Sequence, residues 1–336
     1  MRVDTGRRAL GSIALQETLA AEAARAPSVH NIQPARWRFT RDGALVLFRS
    51  LDRELPAADP TGRDVQASLG AAFEGMAIAL STRGIELGVP EPESREAATG
   101  CAPVFRADLI AGAESDGLAP FVEQRRSWRG LFVSRSAADV AALTAMADDD
   151  VRVVHDVHTI AEAAKLHDRA TWAFGRQPGI QQELWSWLRL SPKDPRYRRD
   201  GLTADCLLLS PPERLAARVL MRPRVFAALR FGAAQMLVSE AAQVRCAHAL
   251  MLFCPRHDEP AFDFGRRFYR VWLTLTSMGF HAAPMSAVAD SPVTNAILTG
   301  RAGIPGDRRL VSVLRVGRVA GAVPVSPRLP PPELLV

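Results

Sequence analysis

The sequence predicts an α+β fold made of two related halves, and three observations carry that reading. The segment GAAFEGMAIALSTRGI, Gly70 to Ile85, aligns without a gap with GRRFYRVWLTLTSMGF, Gly265 to Phe280, pairing Gly70 with Gly265, Phe73 with Phe268, Ile78 with Leu273, Leu80 with Leu275 and Gly84 with Gly279. In both copies the apolar positions recur at helical spacing, and the later glycine falls where the backbone would leave the helix through a left-handed cap. Each helix is followed by a strand-like run, APVFRADLI after the first and RLVSVLRVG after the second.

The elements follow in order. Arg7 and Arg8 precede an apolar stretch that imitates an export signal, but Gln16 and Glu17 interrupt it, so the spacing predicts an amphipathic helix leading into Arg25. Strands, the first repeat helix and its strand complete a first half over residues 1–117, which ends in the small, polar GAESDG turn at Gly112 to Gly117. The second half, 118–336, opens with FVEQRRSWRGLF and continues through two helices, HTIAEAAKLHDRATWAF and GIQQELWSWLRL. Between them and the second repeat helix lies a Pro- and Arg-rich insertion, about 191–234, with no counterpart in the first half. Its length and irregular pattern suit a lid or docking loop. The closing PVSPRLPPPELLV reads as an extended strap over the surface.

Composition excludes several classes. The 42 basic residues, of which only Lys165 and Lys193 are lysine, are interspersed with 36 acidic ones for a net charge of +6, so no basic stripe marks a nucleic-acid partner. No apolar run approaches the eighteen or so residues of a membrane span, and a cytoplasmic protein acting on a small molecule is expected. Cys101, Cys206, Cys246 and Cys254 show no zinc spacing and read as reduced thiols. The HDVH run from His155 to His158 lacks further ligands, so no metal is expected.

Two fragments carry the chemistry: APSVHNIQP, Ala26 to Pro34, and RRSWRGLF, Arg125 to Phe132. Together with the repeat, and with LPAADPTGRDVQASLGAAF, RRDGLT and LRVGR elsewhere, they resemble the nitroreductase family, in particular its fused twin-domain, Acg-like branch, from about Leu15 to Arg318. The resemblance implies helices around a mostly antiparallel sheet in each half, one chain mimicking the family homodimer, with further dimerisation left open. It also implies a flavin mononucleotide (FMN) site that takes an Arg-Arg-Ser-x-Arg start from one subunit and a Pro-Ser-x-x-Asn-x-Gln-Pro loop from the other. Both motifs sit here in one chain, in reversed order, and each occurs once; one FMN per chain is therefore expected.

Carried over residue by residue, Arg125, Arg126 and Ser127 would clamp the phosphate, through charge-assisted bonds worth about 1.5–3 kcal/mol each. Arg129 would face the ring and stabilise its reduced form. Pro27, Ser28, Asn31 and Gln33 would form the loop laid against the ring. Pro284, Met285 and Ser286 would run past the ring, while Arg315 and Arg318 would approach the phosphate. The loop departs from the family pattern in having Ala35 after Gln33-Pro34, with Trp37 two residues later. The activity implied is hydride transfer from NADH or NADPH to FMN and on to a nitroaromatic or quinone acceptor. Two alternatives stay open: a lidded FMN store with little turnover, and a flavin-dependent dehydrogenase or oxidase of a biosynthetic intermediate. No catalytic acid or base can be named from the sequence.

Overall fold

The computed structural model of the protein describes residues 11–229 and 238–336. Arg7 and Arg8, and positions 230–234 of the insertion, lie outside the described residues. The chain runs α1 (Ile13–Ala23), β1 (Ala35–Phe39), β2 (Ala44–Ser50), α2 (Arg63–Ser81), β3 (Ile85–Leu87), β4 (Glu91–Pro92) and β5 (Cys101–Ala111). It continues through α3 (Ala137–Thr144), β6 (Val151–Val154), α4 (Val157–Gly175), α5 (Pro178–Trp187), β7 (Leu188–Arg189), β8 (Leu202–Thr203), α6 (Pro211–Leu220) and α7 (Pro223–Ala228). It ends with α8 (Ala241–Arg245), β9 (Ala249–Phe253), α9 (Ala261–Ser277), β10 (His281–Pro284), α10 (Ser286–Asp290), α11 (Pro292–Arg301) and β11 (Ser312–Gly317).

The fold is α+β, with two separate antiparallel sheets. The first has the order β1-β2-β5-β3 with β4 also on β5, and the second has the order β10-β11-β9-β6. Every strand of the first precedes Gly117 and every strand of the second follows it. A third, two-stranded parallel sheet pairs β7, just before the insertion, with β8 inside it.

The repeat helices, α2 and α9, lie against each other at the centre. On α2 the buried Val65, Leu69, Phe73, Met76 and Leu80 form the stripe that the spacing predicts. α9 is buried on two sides: Phe262, Tyr269 and Leu273 join the core of the first half, while Phe264, Trp272 and Leu275 join the core under the second sheet. The crossing is reciprocal. A Cβ on Gly70 would stand 1.9 Å from the Phe262 carbonyl oxygen, and one on Gly265 would stand 2.0 Å from that of Ala67. Each glycine thus meets the residue three positions before the other, the pattern of a two-fold contact between like surfaces. Both helices end through left-handed glycines, Gly84 at φ +72° and Gly279 at φ +77°.

Polar groups tie this crossing to the junction of the halves. Glu74, buried on α2, accepts from Arg266 at 2.9 Å and Arg270 at 2.8 Å on α9. Asp116, at the turn before the second half, accepts from Arg270 at 2.7 Å and donates its backbone N–H to the Ser81 hydroxyl at 3.0 Å.

The insertion is more regular than its composition suggests. α6 starts with a capping box, in which the Glu213 carboxylate accepts from the Ser210 backbone N–H at 2.7 Å. The C-terminal segment is a strap, but an embedded one: Leu329 and Leu334 are buried in the first-half core, and the Val336 N–H reaches the Trp37 carbonyl at 3.0 Å.

Candidate active site at the junction of the halves

The loop at 27–34 is held in an unusual backbone. Among the described residues four non-glycines have positive φ, and three are here: His30 (47°), Asn31 (57°) and Gln33 (53°). Left-handed backbone costs a β-carbon residue energy, so something must compensate. Ser28 supplies part, accepting the Gln33 N–H on its hydroxyl at 3.0 Å. The amides supply the rest. Asn31 donates to the carbonyls of Gly201 (3.3 Å) and Pro327 (3.1 Å). Gln33 donates to the Arg199 carbonyl at 2.9 Å and accepts the Leu329 N–H at 2.9 Å. Both amides, expected to meet a flavin edge, are thus committed to the insertion and the strap, and what they give a ligand is the shape of the loop.

The second motif is an extended segment. Ser127 bridges to Ala282 beside β10, and the Trp128 N–H bonds the Ala282 carbonyl at 3.0 Å. Ser127 is the bridged residue of this segment, and the Arg125 N–H closes a turn onto the Phe121 carbonyl at 2.9 Å. Its arginines fall into two cationic poles, one around Arg125 and one around Arg129.

At the first pole Arg125 is buried, with its guanidinium 4.7 Å from the Trp272 ring centroid. Nη2 donates to the Arg25 carbonyl at 2.9 Å, at the end of α1 and directly before the loop, so the two motifs touch here. Its Nε and Nη1 are buried without a partner. Burial lowers its pKa below the usual arginine value. Arg126 points elsewhere, donating to the Val323 carbonyl at 2.9 Å.

At the second pole stand Arg129, Arg315 and His30. Burial, reinforced by the charge of Arg129, takes the His30 pKa down to about 4, so the imidazole is neutral at physiological pH. Arg315 is fully buried on β11; Nη1 donates to the Gly130 carbonyl at 3.1 Å while Nε and Nη2 have no hydrogen-bond partner. Its nearest carboxylate, Glu240, is 3.8 Å away and also lies 3.9 Å from His167.

The remaining sequence-predicted residues divide. Pro284 ends β10. Met285 is buried, its N–H on the Val313 carbonyl at 2.8 Å, and Ser286 is exposed at the start of α10. Arg318 is spent on a different contact: its Nε pairs with Asp139 at 2.6 Å, an arrangement that lowers the Asp139 pKa to about 2, and its guanidinium covers the Phe280 ring. Sequence reasoning missed Arg25 and Arg328 as neighbours of Arg125, because contacts between residues 25, 125 and 328 leave no local pattern.

Under the loop, Pro27, Ser28, Gln33 and Trp37 together with Leu334 of the strap enclose a cavity of about 20 Å³, room for a single water. An open cleft of about 560 Å³ lies apart, along α1, α2 and residues 115–123. Its charged groups are already paired, Glu22 with Arg83, Asp116 with Arg270 and Glu123 with Arg25, so the unsatisfied groups are at the junction instead. Among the described residues no group of three or more metal-ligating side chains occurs, and no helix is long and apolar enough to cross a membrane.

Fold and junction define an α+β protein of two sheets joined through paired helices, with buried arginine donors left open where its two motifs meet. Parts of its sequence are similar to proteins named nitroreductases. Over 112 residues it is 36% identical to the Mycobacterium tuberculosis protein named Putative NAD(P)H nitroreductase Rv3131, covering 32% of this chain and 31% of that one. Over 182 residues it is 30% identical to the similarly named acg of the same organism, covering 47% of this chain and 54% of that one. The alignments thus span between a third and about half of those relatives. No family model matches the chain. Among solved structures, an FMN-dependent nitroreductase from Mycobacterium smegmatis in complex with NADPH overlaps 61% of this chain and 92% of its own at 14% identity and TM-score 0.33. A nitroreductase with bound FMN from Bacteroides fragilis overlaps 63% and 94% at 13% identity and TM-score 0.34. Likeness this distant fixes neither ligand nor activity.

Proposed function

We propose that the chain binds one FMN where the 27–34 loop meets the 125–129 segment, and that it is an FMN-dependent oxidoreductase of the nitroreductase type. In this reading residues 1–117 and 118–336 are decayed copies of one unit, and the shared site lies between them. The observation that carries it is the set of buried guanidinium nitrogens without partners on Arg125 and Arg315. A buried cation with open donors is costly; Arg125 has no carboxylate partner and Arg315 has only Glu240, at 3.8 Å, so a junction that keeps both is suited to an anionic ligand.

The residues present fit FMN. Arg125, with Ser127 two residues on, would offer charge-assisted donors to the phosphate, and Arg129, backed by Arg315, would offer positive charge to the edge of the ring that becomes anionic on reduction. Neutral His30 stands beside Arg129 as a hydrogen-bonding group that adds no charge. Pro284, Met285 and Ser286 would line the ring's other flank. When bound, FMN supplies the two-electron chemistry, taking hydride from NADH or NADPH and passing it to a nitroaromatic or quinone acceptor. The protein binds and orients it, stabilises the reduced form electrostatically, and excludes water with the insertion and the strap.

A second reading, an FMN store with little turnover, is favoured by one specific feature: Asn31 and Gln33 bond both the insertion and the strap, closing the loop over a cavity of only about 20 Å³. An anaerobic visible spectrum of the FMN-loaded protein separates the two. Bleaching on addition of NADPH or NADH is expected of the oxidoreductase; a flavin that dithionite reduces and neither nucleotide does would identify the store.

A further inference from the structure

Resting on the FMN reading, we infer that Arg328, in the C-terminal strap, is the second arginine of the phosphate site, in the role the sequence assigns to Arg315 and Arg318, and that strap docking is therefore linked to anion binding.

The hydrogen-bond acceptors of Arg328 are all neutral. Its Nε donates to the Ala24 carbonyl, Nη1 to the Asn31 side-chain oxygen at 3.0 Å, and Nη2 to the Arg25 carbonyl at 3.2 Å. Arg125 donates to the same Arg25 carbonyl at 2.9 Å, so the two donating nitrogens are no more than about 6 Å apart. Among the described residues neither guanidinium forms a salt bridge. Glu123, the carboxylate of this corner, is taken by Arg25 at 2.8 Å and is largely exposed. Burial, then the charges of Arg125 and Arg25, push the Arg328 pKa down to about 9, the direction expected of a cation facing cations.

The orphaned groups at this corner have the chemistry of an oxyanion site. Arg125 Nε and Nη1, the Tyr269 hydroxyl and the Trp272 indole N–H are buried without a well-formed hydrogen bond, and the hydroxyl lies against the Arg125 guanidinium, which leaves its own proton to donate. Three of these four are obligate donors, and the fourth, a phenol hydroxyl, can donate. Two like charges sharing one carbonyl call for a dianion, which a phosphate monoester or inorganic phosphate provides and a single carboxylate does not. The contrast with the other candidates is direct: Arg318 has Asp139, and Arg315 has Glu240 close by. Because Arg328 also bonds Asn31 and its neighbour Leu329 bonds Gln33, an anion held at this corner would pin the strap onto the motif loop.

The test compares FMN with riboflavin, which differ only in the phosphate, by fluorescence titration of the full-length wild-type protein and of Arg328→Met and Arg328→Lys. The expected result is wild-type preference for FMN, a tenfold to hundredfold loss of FMN affinity in Arg328→Met with riboflavin affinity unchanged, and partial recovery in Arg328→Lys. Unchanged riboflavin binding shows that the variant is folded. Equal loss of both flavins, or wild-type FMN affinity in Arg328→Met, would overturn the assignment while leaving the FMN reading intact. A parallel thermal-shift series with inorganic phosphate separates the two claims. If neither flavin binds, yet phosphate raises the Tm of wild type and not of Arg328→Met, the anion site stands and the FMN reading falls. If phosphate also has no differential effect, both fall.

Discussion

The two halves share their central helix contact and little of their site. Gly70 and Gly265 face each other's backbone at nearly equal distance, and Gly84 and Gly279 close their helices with nearly equal φ. The loop at 27–34 has no counterpart after β5, and no second Arg-Arg-Ser start precedes α1. Symmetry is kept where the backbone itself makes the contact, since a methyl group there meets a carbonyl oxygen at 2 Å. It does not extend to the two motifs, each of which occurs once, as the proposal of one shared site requires.

The largest effect is expected from adding a carbon where the two helices cross. Gly70→Ala and Gly265→Ala should each destabilise by about 3 kcal/mol or prevent folding, because a backbone oxygen cannot move aside as a side chain can, and the two losses should be similar. Urea unfolding of both variants measures this, and a tolerated alanine at either position would mean that the helices are not in such close contact.

A smaller effect is expected where the halves meet through charge. Arg63 and Asp64 on α2 face Asp290 on α10, with Arg63 to Asp290 at 3.0 Å. Burial and the nearby Asp64 and Asp59, opposed by Arg63, raise the Asp290 pKa to about 7, and burial raises that of Asp64. With a folded pKa above the unfolded one, stability declines as pH rises from about 4 through 7. Asp290→Asn should therefore stabilise by about 1 kcal/mol at pH 8 and by nothing near pH 4. A pH series of denaturation midpoints that runs parallel for the two proteins would contradict the shift.

The smallest effect sharpens the match between copies. Gly84→Ala meets open space and carries only the left-handed penalty of about 1 kcal/mol. At Gly279 a Cβ would also come within 2.9 Å of Arg318 Nη1 and disturb its pairing with Asp139, so that variant should lose slightly more, with the gap narrowing at low pH as Asp139 is protonated.

Much of this was legible in the sequence for physical reasons. The apolar stripes of α2 and α9 and their closing glycines are written in 3.6-residue periodicity, and each proves to be a core-facing helix with a left-handed exit. What the aligned glycines do to each other was not legible, since an alignment pairs equivalent residues and not touching ones. The capping box of α6 was visible as Ser210-Pro-Pro-Glu213 but masked by the prolines around it. Leu329 and Leu334 among the closing prolines could have signalled a buried strap. Arg328 beside Arg125, and His30 beside Arg129, result from chain segments about 200 and 100 residues apart meeting, and no local pattern records that.

The most direct test of the account is stoichiometric: titration of the purified chain with FMN at protein concentrations well above the dissociation constant, followed by flavin fluorescence. A sharp break at one FMN per chain is the predicted result, a shared site assembled once from two unequal halves. A break at two would show that both halves retain a site and contradict the asymmetry, and no break at all would contradict the assignment of flavin to the junction.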